Sequence, residues 1–134
     1  MKTTTLGSIK LLVIDIDGTL LNPEGKITAR TLAAVRAAQE AGIVVTLATA
    51  RRYCNTVQVA RELGIEAPLI LYDGALIVGS PHATILHSHP LPADVAQQAV
   101  ELLVRHNLQP VVHPTTDLEE ETWQQHTRPA RKAK

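Results

Sequence analysis

A chain of 134 residues, 45% of them hydrophobic, is the size of one ordinary domain and holds enough apolar side chains for a core. Thirteen Lys and Arg balance thirteen Asp and Glu, so a broad charged surface for nucleic acid or an anionic membrane is not expected, and small molecules become the expected partners. No run is long enough to span a bilayer, the polar start over 1–8 lacks the apolar stretch of a signal peptide, and Cys54 has no second cysteine to pair with, which together make the cytoplasm the expected compartment.

With no Phe, one Trp and two Tyr, the core must come from Val, Ile, Leu and Ala, the mixture found where helices cover a sheet; the expected class is α/β. Lys10 to Asp15 is a short apolar run ending in a carboxylate, as in a buried parallel strand. Asn22 to Lys26, with Pro23 and Gly25, is a loop. Thr28 then caps a predicted helix to about Ala41, with Leu32, Val35 and Ala38 at helical spacing and Gly42 as the stop. Ile43 to Ala48 reads as a second strand. A helix over Cys54 to Leu63 follows, with Val57, Ala60 and Leu63 on one face and Gly64 at its end. Leu69 to Tyr72, opened by Pro68, is the third strand. Two strand–helix–strand units with right-handed crossovers set the strands side by side in the order one, two, three, with strand one at the end of the row.

The pattern changes after Asp73-Gly74. Ala75 to Val78 and Thr84 to His89 flank Gly79-Ser80-Pro81-His82 and predict a hairpin. A helix over Pro92 to His106 sets Val95, Ala99, Leu102 and His106 on one face, with Asp94 and Arg105 suited to its two ends. Gln109 to His113 reads as a further strand. Residues 75–113 are read as a second, α+β module rather than a continuation of the first sheet. The stretch 114–134, apolar-poor past Trp123 and basic at its end, reads as a disordered tail.

Chemistry concentrates where strand one ends. Ligands of open α/β sheets bind outside the carboxyl ends of the strands, and Asp15 stands there. Asp15 and Asp17 can project to one side of an extended backbone and share a divalent cation; Mg²⁺ commonly takes one or two carboxylates plus water and substrate phosphate. In that setting Asp15 can attack phosphorus to form an aspartyl-phosphate, and Asp17 can protonate the leaving oxygen and later activate water. The same residues also read as a strand running into an ordinary Asp-Gly turn. Thr49 reads either as a phosphate ligand or as a cap of the following helix, and Arg51 and Arg52 as phosphate clamps or solvated cations.

The string Asp15-Ile16-Asp17-Gly18-Thr19-Leu20-Leu21 resembles the first motif of the haloacid dehalogenase superfamily. Ile27-Thr28, followed by Gly42-Ile43-Val44-Val45-Thr46-Leu47-Ala48-Thr49-Ala50-Arg51, resembles more narrowly the Cof-type phosphatases, which act on sugar phosphates and cofactors. The resemblance implies that Asp15 is the nucleophile, Asp17 the general acid/base and both the metal site, that Mg²⁺ is the cofactor, and that Thr49 and Arg51 hold the phosphate of a small phosphorylated metabolite. Ala50 stands where that group usually has Gly, and Asp73-Gly74-Ala75 where it has Asn-Gly-Ala. The implied fold is a Rossmann-like parallel sheet, here its first three strands over 1–74, with the beginning of an α+β cap over 75–113.

The family's phosphate-neutralising Lys and its later Gly-Asp segment have no counterpart in this sequence. The expectation is therefore a truncated member whose strand-one edge is left open to self-association. Phosphatase activity is the leading expectation; a phosphomutase, or a fragment that binds phosphate or a partner without turnover, are the alternatives.

Overall fold

The structure, a computed structural model, describes residues 9–80, 82–114 and 118. The first half forms β1 (Leu11–Ile14), α1 (Ala29–Glu40), β2 (Val44–Leu47), α2 (Tyr53–Glu62) and β3 (Leu69–Leu71). β1 and β2 pair in parallel, Leu11 beside Val44 and Ile14 beside Leu47. Beyond β2 the pairing thins to a single parallel bridge between Ala48 and Ile70, where the Thr49 amide donates to the Ile70 carbonyl at 3.0 Å. The Thr46 hydroxyl adds a bond to the Pro68 carbonyl just before β3. The three parallel strands thus lie in the predicted order, with β1 at the end of the row. The α/β class and the Rossmann-like arrangement are as predicted.

Local chemistry explains the boundaries. The Thr28 hydroxyl accepts the Thr31 amide at 3.1 Å, satisfying one of the orphan donors of the first turn of α1. Gly42 and Gly64 follow α1 and α2 at φ 79° and 65°, left-handed positions that favour glycine. Val35 of α1 and Val57, Ala60 and Leu63 in and after α2 are buried against Val45 and Leu47 of β2 and Leu69 and Leu71 of β3. Leu32 and Ala38, expected on the inner face of α1, are partly buried against the same cluster.

After β3 come β4 (Leu76–Gly79), β5 (Thr84–Ser88) and α3 (Ala93–Arg105). The predicted hairpin forms, but it does not stand apart from the first sheet. β4 pairs antiparallel with β3, Leu69 beside Val78, and its Leu76 and Val78 are buried in the common core. The pairing crosses residue 74 because β3 offers a free edge beside a two-faced apolar strand, a partner that hydrophobic pattern alone does not name. The strand expected over Gln109 to His113 is not formed. Pro110 lacks an N–H for a ladder, no described strand lies against this segment, and Val111 and Val112 are 65% and 62% exposed. No residue of α3 is buried, so the face carrying Val95 and Leu102 is uncovered among the described residues. The stretch read as a tail lies outside the described residues, except for Pro114 and for Leu118, which is half-buried against the core. No helix among the described residues is long and apolar enough to cross a membrane.

Candidate active site

Parallel pairing brings the carboxyl ends of β1 and β2 together, and the candidate residues follow both strands. The Ile14 carbonyl accepts the Ala48 amide at 3.0 Å, so the last rung of the ladder lies one residue before both Asp15 and Thr49. Asp15 continues the extended backbone at φ −77°, ψ 150°. The chain then turns over Ile16–Leu20, closed by the Leu21 amide on the Ile16 carbonyl at 3.1 Å. Gly18 sits in that turn at φ 74°, where a side chain would be strained, and buried Ile16 and Leu20 anchor its two ends in the core. Asp15 and Asp17 are left exposed on the solvent side of an anchored loop.

Asp15, Asp17, Thr49 and Asp73 line one cleft of about 400 Å³, with Ala48, Ala50, Ile70 and Gly74 completing its wall. The small side chains at 48, 50 and 74 leave backbone within reach of a ligand. Thr49 is buried, and its oxygen accepts the Arg51 amide at 3.1 Å. Thr49 does not cap α2; that position falls to Arg52, which makes no side-chain cap. The Thr49 hydroxyl keeps its proton for a further acceptor, as a phosphate ligand requires.

Arg51 does something the sequence did not disclose. Its Nε and Nη2 grip the two carboxylate oxygens of Asp17 at 2.8 and 2.6 Å, a bidentate pair between residues 34 apart. The hydrogen bonds from Arg51 hold the Asp17 carboxyl below the ordinary aspartate range; partial burial opposes this and the charge of Arg51 assists it. Arg51 is correspondingly pushed up, first by the Asp17 bond, with Asp15 contributing charge. The predicted phosphate clamp is therefore engaged with the predicted acid/base.

Two further groups escaped the sequence reading. The Thr19 hydroxyl points at Asp15 Oδ2 at 3.5 Å, a long contact signalled only by the four-residue spacing. Tyr72, Asp73 and Gly74 all have positive φ, at 50°, 54° and 94°, a costly run for two non-glycine residues. The Tyr72 amide on the Arg51 carbonyl and the Asp73 amide on the Thr49 carbonyl, at 3.4 and 3.2 Å, fasten this turn to the loop after β2. Asp73, which stands where the resembled family has Asn, is thereby carried into the cleft wall.

The donor set suits a hard cation: oxygen ligands only, from Asp15 and Asp17. No group of three His, Cys, Asp or Glu close enough to hold a metal occurs among the described residues, so Asp73 does not complete a protein cage. Magnesium, which usually keeps water and substrate oxygens in its shell, does not need one.

Replacing Arg51 by Gln is expected to return the Asp17 carboxyl to the ordinary aspartate range in a carbon-detected NMR titration. The sign for stability follows from the depressed folded-state value. The Asp17 contribution is present above the unfolded aspartate pKa and is lost as pH falls through the folded one, so the variant should lose less stability than the parent on the acid limb. With Asp17 62% exposed the effect is small, and an unchanged Asp17 titration would show that the pair does not persist in solution.

Carboxylates are thus gathered beside a threonine at the ends of parallel strands on an α/β sheet. The sequence matches the haloacid dehalogenase-like hydrolase family over residues 12–131, and the chain belongs to that family. Its relatives include an HMP-PP phosphatase of Serratia proteamaculans, 33% identical over 91 residues, which are 68% of this chain and 33% of that protein. The pyridoxal phosphate phosphatase YbhA of Escherichia coli is 27% identical over 99 residues, 74% of this chain and 36% of that protein. Among solved structures, a haloacid dehalogenase-like hydrolase from B. subtilis superposes with a TM-score of 0.66 at 31% identity, covering 74% of this chain and 34% of the other. The chain spans about a third of the length of these relatives.

Proposed function

We propose that the chain carries the nucleophile-bearing part of a magnesium-dependent phosphatase that acts on a small phosphorylated metabolite through an aspartyl-phosphate. The observation that carries this reading is the convergence of Asp15, Asp17 and Thr49 on one cleft at the carboxyl ends of β1 and β2. The names of the relatives, phosphatases of HMP-PP and of pyridoxal phosphate, point to the same class of substrate. A cytoplasmic location belongs to this proposal.

In the proposed reaction an Asp15 carboxylate oxygen forms a bond to phosphorus while the bond from phosphorus to the leaving oxygen breaks. Protonated Asp17 delivers its proton to that oxygen, and the alcohol departs. Asp17, now ionised, takes a proton from water as the water oxygen attacks phosphorus; the bond from phosphorus to Asp15 breaks, releasing phosphate and restoring both carboxyl groups. The Thr49 hydroxyl donates to a non-bridging oxygen throughout. Asp15 and Asp17 would hold magnesium, which when bound would supply the positive charge that lets a carboxylate approach a phosphate. The ion pair with Arg51 opposes protonation of Asp17. A phosphate that draws the guanidinium away relieves that opposition, and Arg51 thereby serves both partners in turn.

A second reading, phosphate binding without turnover, is favoured because Arg51 is held by Asp17 at the edge of the site and, among the described residues, no cationic side chain lines the cleft itself. The purified chain incubated with a panel of phosphate monoesters, with and without Mg²⁺, separates the possibilities. Magnesium-dependent release of free phosphate is the expected result, and an isomeric sugar phosphate would indicate a mutase. Binding of inorganic phosphate by calorimetry with no turnover of any ester would replace the enzymatic reading with the second one.

A further inference from the structure

The cleft at the ends of β1 and β2 holds a carboxylate whose charge neither the fold nor the proposed phosphoryl transfer requires. Asp73 lines it beside Asp15, Asp17 and Thr49 but comes from the turn that follows β3. Tyr72, Asp73 and Gly74 stand there in succession at φ 50°, 54° and 94°. Backbone groups close and fasten the turn: the Ala75 amide bonds the Tyr72 carbonyl at 3.1 Å, and the Tyr72 and Asp73 amides bond the Arg51 and Thr49 carbonyls. A left-handed conformation selects for glycine or a small polar residue, and Asn adopts it as readily as Asp. It does not select for charge. The exposed Asp73 carboxylate is therefore spare with respect to folding, and beside a bound phosphate it is a cost, since like charges in a cleft repel.

The size and lining of the cleft decide what that charge meets. At about 400 Å³ it lies at the lower end of small-molecule sites, which run to roughly 1,000 Å³, so the leaving alcohol of a phosphate seated on Thr49 lies against its wall. Among the described residues, the rest of that wall, Ala48, Ala50, Ile70 and Gly74, carries no polar side chain. We propose that Asp73 is the specificity-determining residue of this cleft. Its carboxylate accepts hydrogen bonds from an ammonium group on the leaving alcohol, so the preferred ligands are phosphate esters of small amino alcohols, and esters bearing a further anion are turned away. An ammonium is favoured over a neutral hydroxyl because it both donates to the carboxylate and offsets the negative charge that Asp15, Asp73 and the phosphate gather in a small volume. The proposal rests on the reading of the cleft as a phosphate-ester site and adds the class of ester to it.

Three short esters test it: phosphoethanolamine, ethyl phosphate and phosphoglycolate, which carry a cation, no charge and an anion at a similar distance from phosphorus. Their affinities, measured in Mg²⁺ by displacement of bound inorganic phosphate, are expected to fall in that order, and kcat/KM to follow wherever turnover occurs. An exposed charge pair alters affinity by no more than about fivefold, so Asp73→Asn should compress the ratio of phosphoethanolamine to phosphoglycolate affinity by about tenfold, attraction and repulsion being lost together. Asn keeps the left-handed turn, and Asp73→Gly, which suits that turn still better, should compress the ratio equally. A carboxylate that acted only through a metal, through repulsion of the phosphate or through the fold would shift all three esters by one factor. An unchanged ratio in both variants, with inorganic phosphate still bound, overturns the proposal and leaves the phosphate-ester reading standing. If the parent chain binds neither inorganic phosphate nor any of the esters, that reading falls and the role of Asp73 with it.

Discussion

Replacing Asp15 by Asn is expected to lower magnesium-dependent phosphate release by at least about 10³-fold while leaving the unfolding midpoint unchanged. The two halves of this expectation rest on different observations. Asp15 is exposed, its carboxylate has one hydrogen bond among the described residues, the 3.5 Å approach of the Thr19 hydroxyl, and the loop that carries it is held by Ile16 and Leu20 rather than by the carboxylate. Asparagine keeps the shape and still offers Thr19 an acceptor, so folding has little to lose. The reaction loses its nucleophile, since a neutral amide neither attacks phosphorus nor draws a cation into the cleft. Activity measured beside urea unfolding tests both halves. A variant that retains the parental rate would remove Asp15 from the chemistry, and one that loses rate and stability together would make its role structural.

Much of this site is legible in the sequence because its residues are local to strand ends. An apolar run ending in Asp-x-Asp-Gly places the proposed nucleophile, a second carboxylate and a permissive glycine in one turn, and Thr49 follows the next strand in the same way. The parallel order of β1, β2 and β3 follows from two crossovers of ordinary length. The pairing of Arg51 with Asp17 is different in kind. It joins side chains 34 residues apart and exists only because β1 and β2 finish side by side, so no spacing announces it. The Asp73 contribution depends on a left-handed turn built from Tyr72 and Asp73, residues that do not advertise positive φ as Gly74 does. Where composition was trusted to supply partners it failed: Val111 and Val112 are β-forming side chains, yet a strand needs a neighbour to bond, and none of the described strands lies beside them.

Leu47 and Val44 look equivalent in the sequence, two aliphatic residues of one apolar strand, yet their truncation should differ by several kcal/mol. Leu47 is 0% exposed and packs within the cluster formed by Val35, Val57, Ala60, Leu69 and Leu71, whereas Val44 is 53% exposed at the outer end of β2. Leu47→Ala deletes buried methyl groups and leaves a cavity, a change that costs roughly 2–5 kcal/mol. A domain of this size is stable by only about 5–15 kcal/mol, so the upper end of that range would leave a large unfolded fraction at physiological temperature. Val44→Ala should shift stability by no more than about 0.5 kcal/mol. Urea unfolding of both variants checks the contrast, and equal losses would mean that the open face of β2 is covered in solution. The contrast also reaches the site. Leu47 lies two residues before Thr49, on the strand whose last rung, the Ala48 amide on the Ile14 carbonyl, brings Thr49 close to the level of Asp15, which the register sets beside Ala48. Loosening that anchor should weaken the proposed phosphate binding before the chain unfolds, because Thr49 takes its position from the end of β2.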